Sequence, residues 1–534
     1  MDNLINDFDE LEHTFTPYNE FVGNDYSINI PLVANGIFYG MEKGWVNILN
    51  PFRGGLVLGS PGSGKTKTVS HHFVKQLIEK GFVTALYEYT DDYLSQVAFH
   101  TLQANQHVFK KEYGVNATFH AVNFLSPAHS VRCNPFAGNQ LRDIIDAQNI
   151  ATTILCNLNK SWIEQQGSFL VESAITYLTA CLWFLKRYSD AQPEFSQKEE
   201  TDKLAAKYNN TPPVTYCSLP HFIEFALQDY RTVLALLGTL PELALLIEPF
   251  QHYLEKGTST GSFDHLDGIL AVVRLQLRHL ATPELYWIMT GEEPLVDINK
   301  PNDPKIVSLI NNPASSSTSG VALALLAGRV SRQINKPDGG KKALIVDELP
   351  TVYIDGLDSL MATGRLNKVA TLFTAQDMIQ LELTYGKRQA KFILDVPGTI
   401  ITGPCLGMSA ERVASRLNEV EESIRNEYGS KKAPVITGKM LQSMPYGYFA
   451  GNIAPSLPEK VGQSKFISQL PQPPTPWQTN RQPAILPVHP ALEGLTNEQI
   501  EVRFQENIEV VKNQIGDLIR NAGSQPNWSP EGRY

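Results

Sequence analysis

Residues 56–66 read Leu56-Val57-Leu58-Gly59-Ser60-Pro61-Gly62-Ser63-Gly64-Lys65-Thr66. The apolar residues predict the end of a buried strand, and the residues after Thr66 follow a helical pattern with Val69, Phe73 and Leu77 on one face. A strand, then Gly-x-x-x-x-Gly-Lys-Thr, then a helix is the arrangement of a P-loop, which binds nucleotide phosphates. The stretch therefore predicts a nucleotide site in an α/β domain.

Each type of residue in this loop has a physical role. The glycines let the backbone turn tightly and aim its N–H groups at phosphate oxygens, and the following helix adds its positive N-terminal end. Lys65 would reach the β- and γ-phosphates, and the Thr66 hydroxyl would ligate Mg²⁺. The predicted nucleotide-binding residues are Gly59, Ser60, Pro61, Gly62, Ser63, Gly64, Lys65 and Thr66.

The composition limits the classes of protein to consider. The chain has 534 residues, 42% of them hydrophobic, so it can bury a large core and form more than one domain. Its net charge of −10 argues against binding nucleic acid over its whole surface, although a local basic channel is compatible with it. The sequence shows no run of 18 or more apolar residues, no signal-peptide pattern, and no CxxC spacing among its 5 cysteines. These features favour a globular cytoplasmic protein with reduced thiols.

A second nucleotide element lies much further along the chain. Residues 343–348, Ala343-Leu344-Ile345-Val346-Asp347-Glu348, form an apolar strand that ends in two carboxylates, as in a Walker B element. Asp347 would hold the Mg²⁺ shell, and Glu348 would polarise the attacking water. The alternative is a pair of acids that cap the next helix.

The spacing of the two elements predicts an inserted domain. Lys65 and Asp347 lie about 280 residues apart, whereas a compact nucleotide domain needs only a few βα units of about 30 residues between them. The intervening sequence carries long helical patterns and no strand pattern of comparable strength. The predicted helices span residues 144–158, 169–188, 219–236, 240–250 and 263–280.

We therefore predict an α/β fold in which an all-α domain interrupts a P-loop NTPase domain. Strands are predicted at 82–87, 117–124, 369–374, 399–402 and 446–452, and residues 27–30 and 45–48 predict a small hairpin or sheet edge. The predicted divisions are an N-terminal segment (1–50), the first part of the nucleotide domain (51–142), the all-α domain (143–300), the second part of the nucleotide domain (301–454), a Pro-rich linker (455–495) and a C-terminal amphipathic helix (496–523).

Two further side chains are candidates for catalysis. Gln376 follows the strand 369–374, and at that position it can contact the γ-phosphate or orient water; a loop hydrogen bond is its alternative role. Arg365 precedes the same strand and is a candidate arginine finger, which must face a neighbouring subunit's phosphates. A surface salt bridge is the alternative for Arg365, with Arg388 and Arg412 as the fallback arginines.

The sequence indicates the roles of other polar side chains near the predicted site less specifically. Glu88, Asp91 and Asp92 follow the strand 82–87, at the edge of an open α/β sheet where ligands lie, and a solvated loop is their alternative. His71 and His72 lie on the P-loop helix, where we expect packed or exposed histidines and not ligands.

The composition changes beyond residue 454. Residues 455–490 contain 9 prolines and predict an extended linker. Thr496 to Gln499 then form a capping box, and apolar residues recur at steps of four and three from Ile500 to Leu518. This helix would be about 39 Å long. It could pack back on the protein, associate with itself or bind a partner.

The order of these elements resembles the type IV secretion coupling proteins of conjugative plasmids and transposons, the TraG/TraD kind. The resemblance covers about residues 30–452. The combination of Asp-Glu-Leu-Pro with the inserted helical domain is its most specific part. The short sequences that carry it are Asn50-Pro51-Phe52-Arg53-Gly54, Asn134-Pro135, Asp347-Glu348-Leu349-Pro350, Gln376 and Tyr385-Gly386.

The resemblance implies a RecA-like P-loop ATPase, a hexamer at the cytoplasmic entrance of a secretion channel, with ATP and Mg²⁺ as its cofactors. By resemblance, Lys65 and Thr66 bind nucleotide and Mg²⁺, and Asp347 and Glu348 serve the Walker B roles. Arg365 would act across the subunit boundary, and Gln376 would sense the γ-phosphate.

The same resemblance implies the partners. They are a relaxase bound to single-stranded DNA and the channel's ATPases and inner-membrane components. An adapter protein could in addition bind the C-terminal helix. The helical domain would read the substrate.

The sequence departs from the family in two places. Family members usually begin with membrane-spanning helices, and this sequence shows none, so we expect a partner to hold it at the cytoplasmic face of the inner membrane. The family often has Asp and Lys after the second strand, where this chain has Glu88 and Thr90.

Two other functions stay open. A double-stranded DNA translocase of the FtsK or HerA type shares the RecA-like hexamer, and a preference for duplex DNA would indicate it. A recruitment platform, in which nucleotide binding governs assembly and the C-terminal helix holds adapters, would show slow turnover that DNA does not change.

Overall fold

The computed structural model describes residues 20–33, 44–138, 141–191, 215–255, 262–291, 298, 300–337, 340–428, 436–461, 464–480 and 485–524. Much of the predicted N-terminal segment, residues 1–19 and 34–43, lies outside these ranges. The chain divides into two units. Unit 1 comprises residues 1–121, 297–311 and 330–487, and unit 2 comprises residues 122–296, 312–329 and 488–534.

A nine-stranded sheet organises unit 1, and its strands follow the order β11-β10-β9-β3-β8-β7-β4-β6-β5. The central pairs, from β9 through β3, β8, β7 and β4 to β6, are parallel, whereas β10 pairs antiparallel with β9 and β11. The strands are β3 (Gly55–Leu58), β4 (Val83–Glu88), β5 (Thr118–Asn123), β6 (Lys305–Ile310), β7 (Lys342–Val346), β8 (Val369–Ala375), β9 (Thr399–Thr402), β10 (Tyr448–Ile453) and β11 (Ser464–Gln469). β4, β7 and β8 are buried along their whole length, as parallel strands covered on both faces are.

The predicted hairpin is confirmed as a separate two-stranded sheet. β1 (Ile28–Pro31) pairs antiparallel with β2 (Trp45–Ile48). Ile28, Ile30, Val46 and Ile48 are buried in the same hydrophobic core as the P-loop helix.

The helices of the described ranges follow in chain order. The helices that precede β6 are α1 (His71–Glu79), α2 (Tyr93–Ala104), α3 (Gln106–Tyr113), α4 (Ile144–Leu158), α5 (Ser161–Glu164), α6 (Phe169–Ala191), α7 (Leu219–Ala226), α8 (Tyr230–Leu237), α9 (Ala244–Glu255), α10 (Ser262–Arg278) and α11 (Pro283–Met289). After β6 they are α12 (Ser316–Ile334), α13 (Leu357–Thr363), α14 (Met378–Asp395), α15 (Gly407–Tyr428), α16 (Gly438–Ser443), α17 (Pro476–Asn480) and α18 (Asn497–Ser524).

Unit 2 is helical, and α6 is its central helix. α6 packs against α4, α7, α9 and α10. By length and composition alone α6 could cross a membrane, as could α8 with residues 241–250 if that bent pair were one span, but 67% of the apolar window of α6 is buried inside the protein. The burial fits the core helix of a helical bundle.

The predicted helix 219–236 is wrong as a single helix. The chain forms α7 and α8 instead, because the Asp229 side chain accepts a hydrogen bond from the Thr232 backbone N–H and starts a new helix there. An N-cap inside a continuous apolar pattern is a weak signal in the sequence.

The prediction of an extended linker at 455–495 is also wrong in part. Residues 464–469 form β11, which pairs with β10 along its full length, and α17 follows. The flanking prolines lie outside the strand, so they do not interrupt its ladder.

Candidate nucleotide site

Three neighbouring strands deliver the predicted site to one edge of the sheet. The P-loop follows β3, Gln376 follows β8, and Asp347 and Glu348 follow β7, and these strands lie in the order β3-β8-β7. Because all three are parallel, their carboxyl ends meet at the same edge, where open α/β sheets bind ligands.

The P-loop backbone has the conformation that glycine permits. Gly62 and Gly64 have φ values of 76° and 97°, in the left-handed region. Lys65 is 6% exposed, and its ammonium donates to the carbonyl oxygens of Gly59 and, at 3.4 Å, Ser60. The loop thus folds around a buried cation, as a phosphate-binding loop requires.

The Walker B aspartate meets the P-loop helix directly. Thr66 Oγ1 donates to Asp347 Oδ2 at 2.9 Å, and Ser70 Oγ donates to Asp347 Oδ1 at 3.3 Å. Thr66 and Ser70 bound one turn of π-helix that leads into α1, so both face the carboxylate. Hydroxyl and carboxylate oxygens are the donors that Mg²⁺ prefers, so the pair of Thr66 and Asp347 fits this cation.

Thr374 joins the two Walker B acids, and sequence reasoning did not assign it a role. Its Oγ1 donates to Asp347 Oδ1 at 3.0 Å and accepts from the Glu348 backbone N–H at 2.8 Å. The side chain is 1% exposed near the end of β8. A threonine inside a β-strand carries no sequence signal for such a role, because threonine is common in strands.

Glu348 has an unusual backbone conformation for its residue type. Its φ is 66°, in the left-handed region, and it begins a short 3₁₀-helix at Leu349–Thr351. Gln376 Nε2 donates to Glu348 Oε2 at 3.2 Å. Glu348 Oε1 is buried and has no hydrogen-bond partner among the described residues, and a water is the natural group to satisfy such an oxygen.

The charges of the site influence one another. Burial raises the pKa values of Asp347 and Glu348, and the nearby Lys65 ammonium opposes both shifts. Burial also lowers the pKa of Lys65, and the two carboxylates oppose that shift. A raised pKa makes Glu348 a better proton acceptor than an exposed glutamate.

Arg365 lies apart from these groups. It precedes β8, whereas Gln376 follows it, so the two lie at opposite ends of a strand that is about 20 Å long at about 3.3 Å per residue. Its side chain is exposed. Arg365 therefore cannot reach the P-loop of its own chain.

Glu88, the last residue of β4, has neither of the two roles predicted for these acids, whereas Asp91 and Asp92 fit the predicted solvated loop. Glu88 is buried and accepts hydrogen bonds from the backbone N–H groups of Leu94 and Ser95, at 2.5 and 2.8 Å, so it caps α2. Asp91 and Asp92 are more exposed on the turn that leads into that helix.

His71 and His72 are packed, as expected. Both are buried, and the His71 ring contacts the Tyr93 hydroxyl at 2.8 Å. Burial lowers the pKa of His71 to about 3 and that of His72 to about 4, so both are neutral near pH 7. Within the described ranges, no group of three or more His, Cys, Asp and Glu side chains could hold a metal ion.

Comparisons with known proteins identify one family model and several solved structures that this chain resembles. A family model described as the TraM recognition site of TraD and TraG matches residues 342–444, which contain β7, Asp347, Glu348 and Gln376. No curated protein matches the chain in sequence.

Several solved structures share the fold. The bacterial conjugative coupling protein TrwBdeltaN70, in an unbound monoclinic form, gives a TM-score of 0.52 at 14% identity over 82% of this chain and 88% of that chain. The plasmid coupling protein TrwB gives 0.52 at 13% identity in complex with the GTP analogue GDPNP, covering 82% of this chain and 89% of that one. TrwB in complex with ADP and Mg²⁺ gives 0.52 at 13% identity, covering 82% and 88%. The resemblance to the type IV coupling proteins and the RecA-like fold with an all-α domain are thus confirmed.

Proposed function

We propose that this chain is an ATP-hydrolysing coupling protein, which recruits a relaxase bound to single-stranded DNA and drives its transfer into a type IV secretion channel during conjugation. The observation that carries the proposal is the hydrogen bond between Thr66 and Asp347. It joins the P-loop to an acidic pair inside the segment that the TraD and TraG family model matches.

The residues of the site fit ATP and Mg²⁺. The P-loop N–H groups and Lys65 would bind the phosphates, and the Thr66 hydroxyl and Asp347 carboxylate would hold Mg²⁺, whose charge offsets that on the phosphates. TrwB, which shares the fold, is described with ADP and Mg²⁺.

Hydrolysis would then depend on the groups around Glu348. Glu348 would accept a proton from the attacking water through its unpaired Oε1, while the Gln376 amide holds the other carboxylate oxygen. Thr374 would keep Asp347 and Glu348 in register with each other. Arg365, at the opposite end of β8, would stabilise phosphate charge on a neighbouring subunit.

The proposed assembly follows from the same reasoning. We infer a homo-oligomer, a hexamer by resemblance, at the cytoplasmic face of the inner membrane, where a partner holds it beside the channel's ATPases and inner-membrane components. A further proposed partner is an adapter protein bound through α18.

The proposal is tested by the ATPase rate of the purified chain with single-stranded DNA, with duplex DNA and with neither, using Lys65→Ala as the blank. We expect turnover that single strands stimulate more than duplex. Stronger stimulation by duplex would indicate a double-stranded DNA translocase instead. Slow turnover that neither DNA changes would contradict the motor and favour the recruitment platform.

A further inference from the structure

A series of hydrogen bonds runs from the residue after β6 to the backbone of Glu348. Asn311 Nδ2 donates to the Tyr87 phenol at 2.8 Å, and the phenol oxygen lies 2.8 Å from Thr351 Oγ1. Thr351 Oγ1 in turn donates to the Glu348 carbonyl oxygen at 2.7 Å. Three hydrogen bonds thus join four residues that lie far apart in the sequence.

The direction of each bond follows from the protons available. Thr351 has one hydroxyl proton, which goes to the Glu348 carbonyl, so its oxygen can only accept from Tyr87. The Tyr87 phenol therefore donates to Thr351 and accepts from the Asn311 amide. Burial raises the pKa of Tyr87, so the phenol keeps the proton that it donates. Each hydroxyl donates once and accepts once, and the series has a single arrangement.

Tyr87 is held firmly inside the sheet. It lies on β4, between β7 and β6, and its side chain is 0% exposed. Its backbone carbonyl accepts from the Asp347 N–H at 2.9 Å, and the Asn311 N–H donates to the carbonyl oxygen of Glu88 at 2.9 Å. The phenol is therefore a fixed point from which the turn after β7 is held.

Glu348 needs such support because of its backbone conformation. Its φ of 66° lies in the left-handed region, which a residue other than glycine keeps only where the surrounding contacts hold it. Its N–H donates to Thr374 Oγ1, and its carbonyl oxygen accepts from both the N–H and the hydroxyl of Thr351. Thr374 thus holds one side of this residue from β8, and Tyr87, through Thr351, holds the other side from β4.

We propose that Tyr87 is a positioning residue for Glu348, and that Thr351 carries its effect to the backbone from which the proposed catalytic carboxylate projects. The backbone conformation helps to decide where that carboxylate points, and a general base acts only within hydrogen-bond reach of the water that it deprotonates. A misplacement of about 1 Å is enough to slow such a reaction. The effect on rate rests on the proposed hydrolysis of ATP.

Steady-state ATPase assays without DNA test this role. We expect Tyr87→Phe, which removes only the hydroxyl, to lower kcat about tenfold, the value of one hydrogen bond, while the KM for ATP stays unchanged because the phosphate-binding groups are intact. Thr351→Val should do the same, and Thr351→Ser, which keeps the hydroxyl, should retain the wild-type rate. Tyr177→Phe is the matched control and should leave kcat unchanged, since it removes a buried phenol of α6 that donates to the Ala226 carbonyl at 3.4 Å.

A double variant separates positioning from a general loss of stability. If Tyr87 acts through Thr351, the chain with both Tyr87→Phe and Thr351→Val loses about as much kcat as either single variant, about tenfold, whereas independent effects would multiply to about a hundredfold. Multiplied losses would overturn the proposal, as would a wild-type kcat in Tyr87→Phe or a change in KM alone.

These results do not depend on what DNA does to turnover. A basal rate that neither single-stranded nor duplex DNA stimulates would contradict the proposed motor, and the ratio of basal rates between the wild type and Tyr87→Phe would still decide the role of Tyr87. Equal basal rates together with stimulation by single strands would refute the positioning role and support the motor.

Discussion

Thr374 shows how much of this site depends on a side chain outside both sequence motifs. Its hydroxyl contacts the Asp347 carboxylate and the Glu348 backbone at once, at 3.0 and 2.8 Å. One rotamer therefore sets the relative position of the residue that would hold Mg²⁺ and the residue that would accept the proton.

Removing this hydroxyl should weaken the metal site more than the fold. We expect Thr374→Val to raise the Mg²⁺ concentration needed for half-maximal turnover about tenfold, in the range seen when groups that orient metal ligands are lost. Thr374→Ser, which keeps the hydroxyl, should stay near the wild type. Steady-state ATPase assays across a Mg²⁺ titration measure both, and equal behaviour of Val and Ser would contradict the role.

Substitutions of two charged residues of the site, Lys65 and Glu348, should abolish hydrolysis in different ways. Lys65→Ala should abolish hydrolysis together with tight nucleotide binding, because it removes the cation that neutralises the phosphates. Glu348→Gln should abolish hydrolysis while nucleotide still binds, because the amide cannot accept the proton. Fluorescent-nucleotide binding beside a phosphate-release assay separates the two, and near-normal turnover in both variants would refute the site.

The sequence identified the site residues that stand in motifs and missed two hydroxyl residues that do not. Lys65, Thr66, Asp347 and Glu348 stand in motifs with fixed spacing, and the structure brings them together. Thr374 and Ser70 have no such pattern, since a hydroxyl becomes significant only when folding brings a carboxylate to it. The sequence alone therefore could not identify them.

Helix α18 has both of the sequence signals that predicted it, a capping box and an apolar face. Its predicted capping box is confirmed: the Thr496 backbone N–H donates to Gln499 Oε1 at 2.9 Å, and the Gln499 N–H donates to Thr496 Oγ1 at 3.3 Å. Its apolar face packs on α7, α8 and α11 of unit 2, where Phe504 stacks on Trp287 with ring centres 5.4 Å apart. Of the three roles predicted for this helix, packing on the protein is the one that the structure shows.

Truncating the buried aromatic should therefore loosen the helix. Phe504 is 5% exposed, and we expect Phe504→Ala to destabilise α18 by about 3 kcal/mol. Val502, on the same helix but 57% exposed, provides the control, and Val502→Ala should cost less than about 0.5 kcal/mol. Hydrogen exchange of the α18 amides reports both, and equal exchange in the two variants would contradict the packing.

We expect acid to weaken the contact between α7 and α18, because that contact includes the buried side chain of His221. His221 Nε2 lies 2.8 Å from Gln514 Oε1 of α18, and burial lowers the pKa of His221 from 6.5 to about 4. The unfolded chain then binds a proton that the folded chain does not, so this group's contribution is full above pH 6.5 and falls by up to about 3 kcal/mol as the pH drops toward 4.

Replacing that histidine should remove this part of the acid sensitivity. We expect the urea midpoint of His221→Gln to fall less between pH 7 and pH 4 than that of the wild type. Exposed His107 is the matched control, and His107→Gln should leave the wild-type pH profile unchanged. Identical profiles for His221→Gln and the wild type would show that the ring is not titrating differently in the two states.

β6 and β11 are absent from the predicted strands, and the reason differs between them. β6, Lys-Ile-Val-Ser-Leu-Ile, is an apolar run whose own sequence is typical of a buried strand. β11, Ser-Lys-Phe-Ile-Ser-Gln, is short, polar and surrounded by prolines, and only its pairing with β10 makes it a strand. Local pattern cannot supply such a long-range partner.

β8 lies between two candidate catalytic residues that would act on nucleotides bound by different subunits. Gln376 follows its carboxyl end and Arg365 precedes its amino end. In the proposed oligomer, Gln376 would contact the nucleotide of its own chain, and Arg365 would contact the nucleotide of a neighbouring subunit.

Mixing two inactive variants tests this arrangement. Arg365→Ala should bind nucleotide normally and lose turnover, and Glu348→Gln should do the same. In mixed assemblies, an Arg365→Ala subunit beside a Glu348→Gln subunit has an intact Glu348 and receives an intact Arg365, so we expect activity to return, up to about a quarter of the wild-type rate if subunits mix at random and each site needs one group from each copy. Mixing Arg365→Ala with itself is the control. No recovery from a mixture shown to exchange subunits would contradict a trans-acting Arg365.

The antiparallel ladder between β10 and β11 bears on how the protein can be shortened for production. The change in composition at residue 454 invites truncation there, but a chain ended at that point would lose all six residues of β11. β10 would then become the outermost strand, with unpaired backbone groups ready to pair with another molecule. A shortened chain that keeps the whole sheet must extend through Gln469, and one that stops before it is expected to precipitate even though the P-loop and both Walker B acids are intact.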